Sequence, residues 1–199
     1  PFVEGHWASD FGLVLQAGVR VDIPDDFASR SSSRFSGSWA VAETGLSVNA
    51  SWSEGFKLPS FYALGNPLVG NTDLVPETSQ GWDAGVGYTL WQDRLQLSLT
   101  YFKIGVRNLI DFNSDTFQLQ NLSRVDSEGV EGQVLVSPVD TVSVTGHATW
   151  NDVREQGAGV QLLNRPRWRG GLGVLWQPLP PLEVRLQALF VGPLRAESV

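Results

Sequence analysis

The sequence predicts an all-β, antiparallel transmembrane β-barrel, present as an incomplete fragment of about nine or ten strands of a larger barrel. Three observations carry this. Apolar and polar residues alternate with period two along segments of about ten residues or more. Short turns alternate with long polar connections, and aromatic residues gather near the segment ends rather than their middles. Helical periodicity is almost absent.

A partial strand opens the chain at Pro1-Phe2-Val3, and looser alternation follows over 11–22 and 32–42. Leu46, Val48, Ala50 and Trp52 then alternate with Ser47, Asn49, Ser51 and Ser53. After a looser segment at 78–90, Leu95, Leu97, Leu99 and Tyr101 alternate with Gln96, Ser98 and Thr100. A looser segment covers 125–137, and Val142, Val144, Gly146, Ala148 and Trp150 alternate with Ser143, Thr145, His147, Thr149 and Asn151. The last two segments are 165–177 and the run Leu182, Val184, Leu186, Ala188, Phe190. Strands of soluble sheets average about five or six residues, whereas a tilted strand crossing a bilayer needs about 9–11.

Short turns are expected near Ser9-Asp10, Glu43-Thr44, Gln92-Asp93, Pro138–Asp140 and Pro178–Pro181, and long polar loops at 23–31, 57–77, 113–124 and 153–164. Such segregation is what outer-membrane barrels show. With the long loops "up", Phe35, Trp52, Trp82, Trp150, Trp168 and Phe190 form an upper aromatic belt. Trp7, Trp39, Tyr88, Trp91 and Trp176 form a lower one. A β-sandwich would instead concentrate its aromatics mid-strand.

Composition narrows the function classes. Hydrophobic residues make up 42% and the mean hydropathy is −0.08, too polar for a bundle of spanning helices. Fourteen basic against 21 acidic side chains give a net charge of −7, which argues against nucleic acid as a partner. No cysteine is present, so no disulfide framework, thiolate metal site or cysteine nucleophile exists. The absence of methionine and the strand-like start lead us to expect a piece of a longer chain.

Residues able to carry chemistry are few. His6 and His147 have no spacing to a carboxylate or serine that suggests catalysis, and His147 falls on the polar face of its strand. No His/Asp/Glu spacing suggests a metal site; Asp25-Asp26 reads as solvated loop. The glycines at 129, 132, 170 and 171 precede no helix and cradle no phosphate. No catalytic residue, metal or cofactor is expected. Arg165, Arg167 and Arg169 alternate with an apolar set and are expected to face the lumen near its upper mouth. They either pair with lumenal carboxylates such as Glu131 or contact an inserted domain or anionic ligand.

The segment from Gly55-Phe56-Lys57-Leu58-Pro59 through Gly70-Asn71 to Leu74-Val75-Pro76-Glu77 resembles TonB-dependent outer-membrane receptors. The resemblance continues in order through Tyr101-Phe102, Asn108–Asp111, Asn121-Leu122, Gly129-Val130-Glu131, Arg165-Pro166-Arg167 and Phe190-Val191-Gly192. Ala17–Asp22 also fits, and Leu58-Pro59 stands where many members have Ala-Pro. It implies that 1–199 is the C-terminal part of a 22-stranded barrel, in the outer membrane of a Gram-negative bacterium, without the plug domain. It implies import of a large scarce nutrient, cobalamin or a ferric siderophore, driven through the plug by the TonB energy-transducing complex. Asn71, Pro76 and Glu77 are expected to shape the long loop, and Phe61, Tyr62 and Asn66 at its tip to touch ligand. The rival readings are a passive porin, an outer-membrane β-barrel enzyme and a carbohydrate-binding sandwich; the first two share the belts but leave the long-loop motif unexplained.

Overall fold

The structure, a computed structural model, describes residues 1–156 and 165–194. Ten strands follow one another: β1 (Phe2–Ala8), β2 (Leu13–Asp22), β3 (Arg30–Ala40), β4 (Leu46–Lys57), β5 (Glu77–Leu90), β6 (Leu95–Asn113), β7 (Gln118–Val139), β8 (Val142–Glu155), β9 (Trp168–Leu179) and β10 (Leu182–Val191). One short helix, α1 (Phe61–Gly65), lies between β4 and β5. Each strand pairs antiparallel with the next, and β1 and β10 are the two edges of a single ten-stranded sheet. Among the described residues the sheet is open, as expected for part of a larger barrel.

The register sorts side chains onto two faces. Phe35, Trp52 and Trp82 stand in one cross-strand row, with Ala50 and Ala84, then Val48 and Val86, in the rows below. The same face continues through Leu97, Leu99 and Tyr101 on β6 to Val130 and Val134 on β7 and Trp150 on β8. Its large apolar side chains are exposed, Leu99 at 54%. Among the described residues the buried apolar core is only Ala63, Leu74 and Val125. An apolar face this large must be covered by something apolar, and in a barrel wall that is lipid. The opposite face carries Ser51, Asp83, Thr100, Gln133 and His147, and Ser51 donates a hydrogen bond to Asp83 across the strands.

Glycines shape the wall at two places. Gly45 closes the β3–β4 turn with φ +73°, and a Cβ there would strike the Thr89 carbonyl. Gly129 of β7 lies opposite Phe102 of β6, where a Cβ would come within 2.6 Å of the Phe102 ring. The Tyr101-Phe102 and Gly129-Val130 pieces of the sequence pattern are thus one cross-strand contact, a ring covering a bare backbone.

One expectation fails. The segment 113–124, read as a long loop, is mostly strand: β6 runs 19 residues to Asn113 and β7 starts at Gln118 with 22. Both strands rise well beyond the length a bilayer requires, so water bathes both faces and the period-two signal fades. Asn108 in this stretch is left-handed (φ 56°), yet the register is the same on either side of it, Arg107↔Arg124 and Leu109↔Leu122. The loop expected at 153–164 begins later, since β8 continues to Glu155; residues 157–164 lie outside the described part.

Candidate functional site

The β4–β5 connection is folded into a platform at the upper end of the wall. Its first turn is α1, opened by Ser60, whose hydroxyl accepts from the Ala63 N–H at 3.1 Å. The helix stops at Asn66. The Asn66 backbone N–H donates to the Tyr62 carbonyl at 3.1 Å, and its side-chain oxygen accepts from the N–H groups of Leu68 (2.9 Å) and Val69 (3.1 Å). Gly70 packs so tightly on the Asn66 backbone that no Cβ fits.

Two asparagines then fasten this loop to the β6–β7 hairpin. Asn71 donates from its side chain to the Leu119 carbonyl at 3.0 Å, and Leu119 N–H returns a bond to the Val69 carbonyl at 2.8 Å. The Asn121 side chain accepts from Val75 N–H at 2.9 Å and donates to the carbonyls of Val75 (3.0 Å) and Asn108 (2.7 Å). The backbone kink at Asn108 is thereby satisfied. Leu74, 3% exposed, is the buried anchor beneath.

Glu77 closes the arrangement. It is 7% exposed and accepts from Ile110 N–H at 3.0 Å and from the Lys57 ammonium at 3.2 Å, joining β4, β5 and β6. Asn71 and Glu77 therefore hold the loop, in line with the shaping role read from the sequence. The Asn66 side-chain oxygen is committed to the turn, while its side-chain NH2 forms no hydrogen bond among the described residues. Phe61 (95% exposed) and Tyr62 (62%) project freely from α1.

A second aromatic pair, unforeseen from the sequence, tops the β6–β7 hairpin: Phe112 and Phe117 meet edge-on with ring centroids 5.3 Å apart. Reading 113–124 as loop concealed it. The signal was the Asn113 side chain, which accepts from Asp115 N–H at 2.8 Å and caps a tight turn between the two rings.

The three arginines part company. Arg169 shares a cross-strand row with Thr149 and Glu131 on the polar face, as expected. Glu131 accepts from the Gln133 side chain at 2.6 Å, and among the described residues it forms no ion pair with an arginine. Arg167 precedes β9 and reaches the carboxylate of Asp152 at 3.0 Å. Asp152 stands in the row of Glu128 and Lys103, on the face of Trp82, so Arg167 is not a lumenal rung. The Arg167 contact is close in distance but poorly angled, and the same Asp152 oxygen, buried, forms no hydrogen bond. Arg165 is exposed in the coil before β9. Alternation could not foresee this: Arg167 sits at the very start of the pairing, its carbonyl accepting from Asn151 N–H at 2.8 Å one residue before β9 begins, and its long side chain reaches a carboxylate that parity does not predict.

On the polar face, Ser98, Glu131, Gln133 and His147 line a cavity of about 610 Å³ near the lower end. On the opposite face, in the cross-strand row of Trp52 and Trp82, Lys103 bridges Glu128 at 2.9 Å.

Long antiparallel strands in an open meander, apolar toward lipid and polar inside, define a section of outer-membrane barrel wall. Residues 1–196 match the family model described as TonB dependent receptor-like, beta-barrel, and the chain belongs to that family, whose members are Gram-negative outer-membrane proteins. Among curated relatives, the vitamin B12 transporter BtuB of Vibrio cholerae is 31% identical over 120 residues, 59% of this chain and 19% of the relative. BtuB of Vibrio vulnificus is 25% identical over 171 residues, 83% of this chain and 27% of the relative. The chain thus spans about a fifth to a quarter of the length of these relatives. Among solved structures, the siderophore receptor PirA of Pseudomonas aeruginosa superposes with TM-score 0.79 at 24% identity, covering 98% of this chain and 37% of PirA. A mutant of the ferric enterobactin receptor PfeA from the same organism gives 0.79 at 22% identity, covering 96% of this chain and 32% of PfeA. At these identities the structural matches speak for the fold alone.

Proposed function

We propose that residues 1–199 are the C-terminal part of the barrel of an active-transport receptor, which binds cobalamin or a ferric siderophore and imports it with TonB-coupled energy. The work is binding and gated passage, with no covalent step. The observation that carries this reading is the fastened 58–76 loop, which presents Phe61 and Tyr62 at the upper end of the wall. Rigid aromatics on a held loop bind a bulky ligand at low entropic cost, because little is left to be ordered on contact. The names of the curated relatives favour cobalamin of the two ligand classes. Glu131 and Arg169, on the lumenal face, and Arg165, in the coil just before β9, are proposed to meet the plug domain through which energy is delivered; Arg167 is instead engaged by Asp152.

The test uses the complete receptor, titrated calorimetrically with cyanocobalamin and, separately, with a ferric siderophore. One of them is expected to bind, and Phe61→Ala/Tyr62→Ala to weaken it at least about tenfold, the scale of aromatic anchors in interfaces. Unchanged affinity in the double variant removes the site from the platform. Binding of neither ligand overturns the transport class proposed.

A further inference from the structure

The lipid-side face changes character above its aromatic row. On β5 to β7, the rows beyond Trp52, Trp82 and Lys103 carry Gln80, Gly105 and Asp126, then Thr78, Arg107 and Arg124. By the register these side chains share the face of Leu97 and Leu99, so they look outward, away from the lumen, at the level where hydrocarbon gives way to headgroups.

A cavity of about 440 Å³ opens at this boundary. Trp52 and Trp82 form its membrane side, and Lys103, Arg107 and Arg124 contribute cations, joined by Arg30 from β3. Gly105 makes room for it: a Cβ there would sit 3.0 Å from the Asp126 carboxylate and 3.3 Å from the Arg124 guanidinium, the ion pair that lies across the bare backbone. The lining holds four cations against two carboxylates, Glu54 and Asp126, in a chain whose net charge is −7. The cationic excess is local and opposes the composition of the chain.

The donors are partly uncommitted. Lys103 is engaged by Glu128, and Arg124 uses its Nε to bind Asp126 at 2.8 Å. Among the described residues the terminal nitrogens of Arg124 have no partner, and neither Arg107 nor Arg30 forms an ion pair. A guanidinium fork matches a phosphate in two-point geometry, and indole rings beside it suit the first carbons of an acyl chain.

We infer that this pocket binds a phosphate-bearing lipid of the outer leaflet, with the phosphate on Arg107 and Arg124 and the acyl chains running down past Trp52 and Trp82. The pocket is continuous with the lipid-covered face below it, and its charge is of the sign an anionic headgroup needs. The inference does not depend on which nutrient the receptor carries.

The complete receptor, purified in detergent, is titrated with bisphosphorylated lipid A, with the same lipid after dephosphorylation, and with inorganic phosphate. The bisphosphorylated lipid is expected to bind at least about tenfold tighter than either other probe, as one charge-assisted contact allows, and to weaken with salt. Arg107→Gln/Arg124→Gln is expected to remove that preference, while Arg185→Gln, on the lumenal face, retains it. Equal binding of dephosphorylated lipid leaves only hydrophobic contact and overturns the proposal. Equal binding of inorganic phosphate reduces the pocket to a simple anion site and overturns it too, as does a double variant that binds like wild type. The three-probe comparison needs no variant, so misfolding of the double variant leaves the test intact.

Discussion

The two faces of β6 should respond differently to one charge. Leu99 lies two residues below Tyr101 on the apolar face, opposite Gly132, and is 54% exposed. Leu99→Arg places a guanidinium among lipid chains, which at a barrel midplane costs about 2–4 kcal/mol. The Arg stem can bend toward the level of Tyr101, about 7 Å up the strand, so the lower part of that range is expected. Ser98 is one residue away, on the other face, between Gly87 and Gln133, and it lines the 610 Å³ polar cavity together with Glu131. Ser98→Arg should therefore cost only about 0.5 kcal/mol or less, as a solvated substitution does. The assay is reversible urea unfolding of the complete receptor in lipid vesicles, comparing each variant with wild type. A gap of 2 kcal/mol is about a thirtyfold difference in the folding equilibrium, well within such a measurement. Equal losses at the two positions would refute the assignment of the faces, and with it the lipid-side reading of every row tied to β6.

Other expectations follow from individual contacts. Glu77→Ala strips the acceptor from Ile110 N–H and from Lys57, a local loss of about 1–3 kcal/mol; amide exchange should quicken at Ile110 and in the 69–76 loop while mid-strand β5 amides keep their protection, and unchanged exchange at Ile110 counts against the clamp. Gly129→Val drives a side chain into the Trp150 carbonyl and the Phe102 ring and should destabilise the receptor by about 2 kcal/mol or more; an unshifted unfolding midpoint contradicts this close packing. Residues 1–199 expressed alone should aggregate, since β1 and β10 are open edges and the apolar face lacks lipid; a monomeric, dispersed product in sedimentation would refute this.

The sequence by itself determined the architecture. Period-two alternation, strand length and the position of the aromatics are consequences of a wall one strand thick between lipid and water, and each is written locally along the chain. Strand order followed as well, because short turns force neighbours in sequence to be neighbours in the sheet. The loop residues Asn71 and Glu77 were legible as shaping elements, although not their partners.

What only the tertiary structure decided lies where the local rule stops. Above the bilayer both faces of β6 and β7 meet water, so alternation no longer reports orientation, and the hairpin carrying Phe112 and Phe117 went unseen. The bonds from Asn71 to Leu119 and from Asn121 to Val75 join residues 48 and 46 positions apart, a distance across which no periodicity carries information. Arg167 reaches Asp152 although its carbonyl still accepts from Asn151 N–H at 2.8 Å, a cross-strand contact that the local alternation does not report. The cationic pocket is assembled from β3, β4, β5, β6 and β7, and its excess positive charge is invisible in a chain that is acidic overall. Alternation tells a residue which way to face; only the cross-strand register brings together the residues that face the same way.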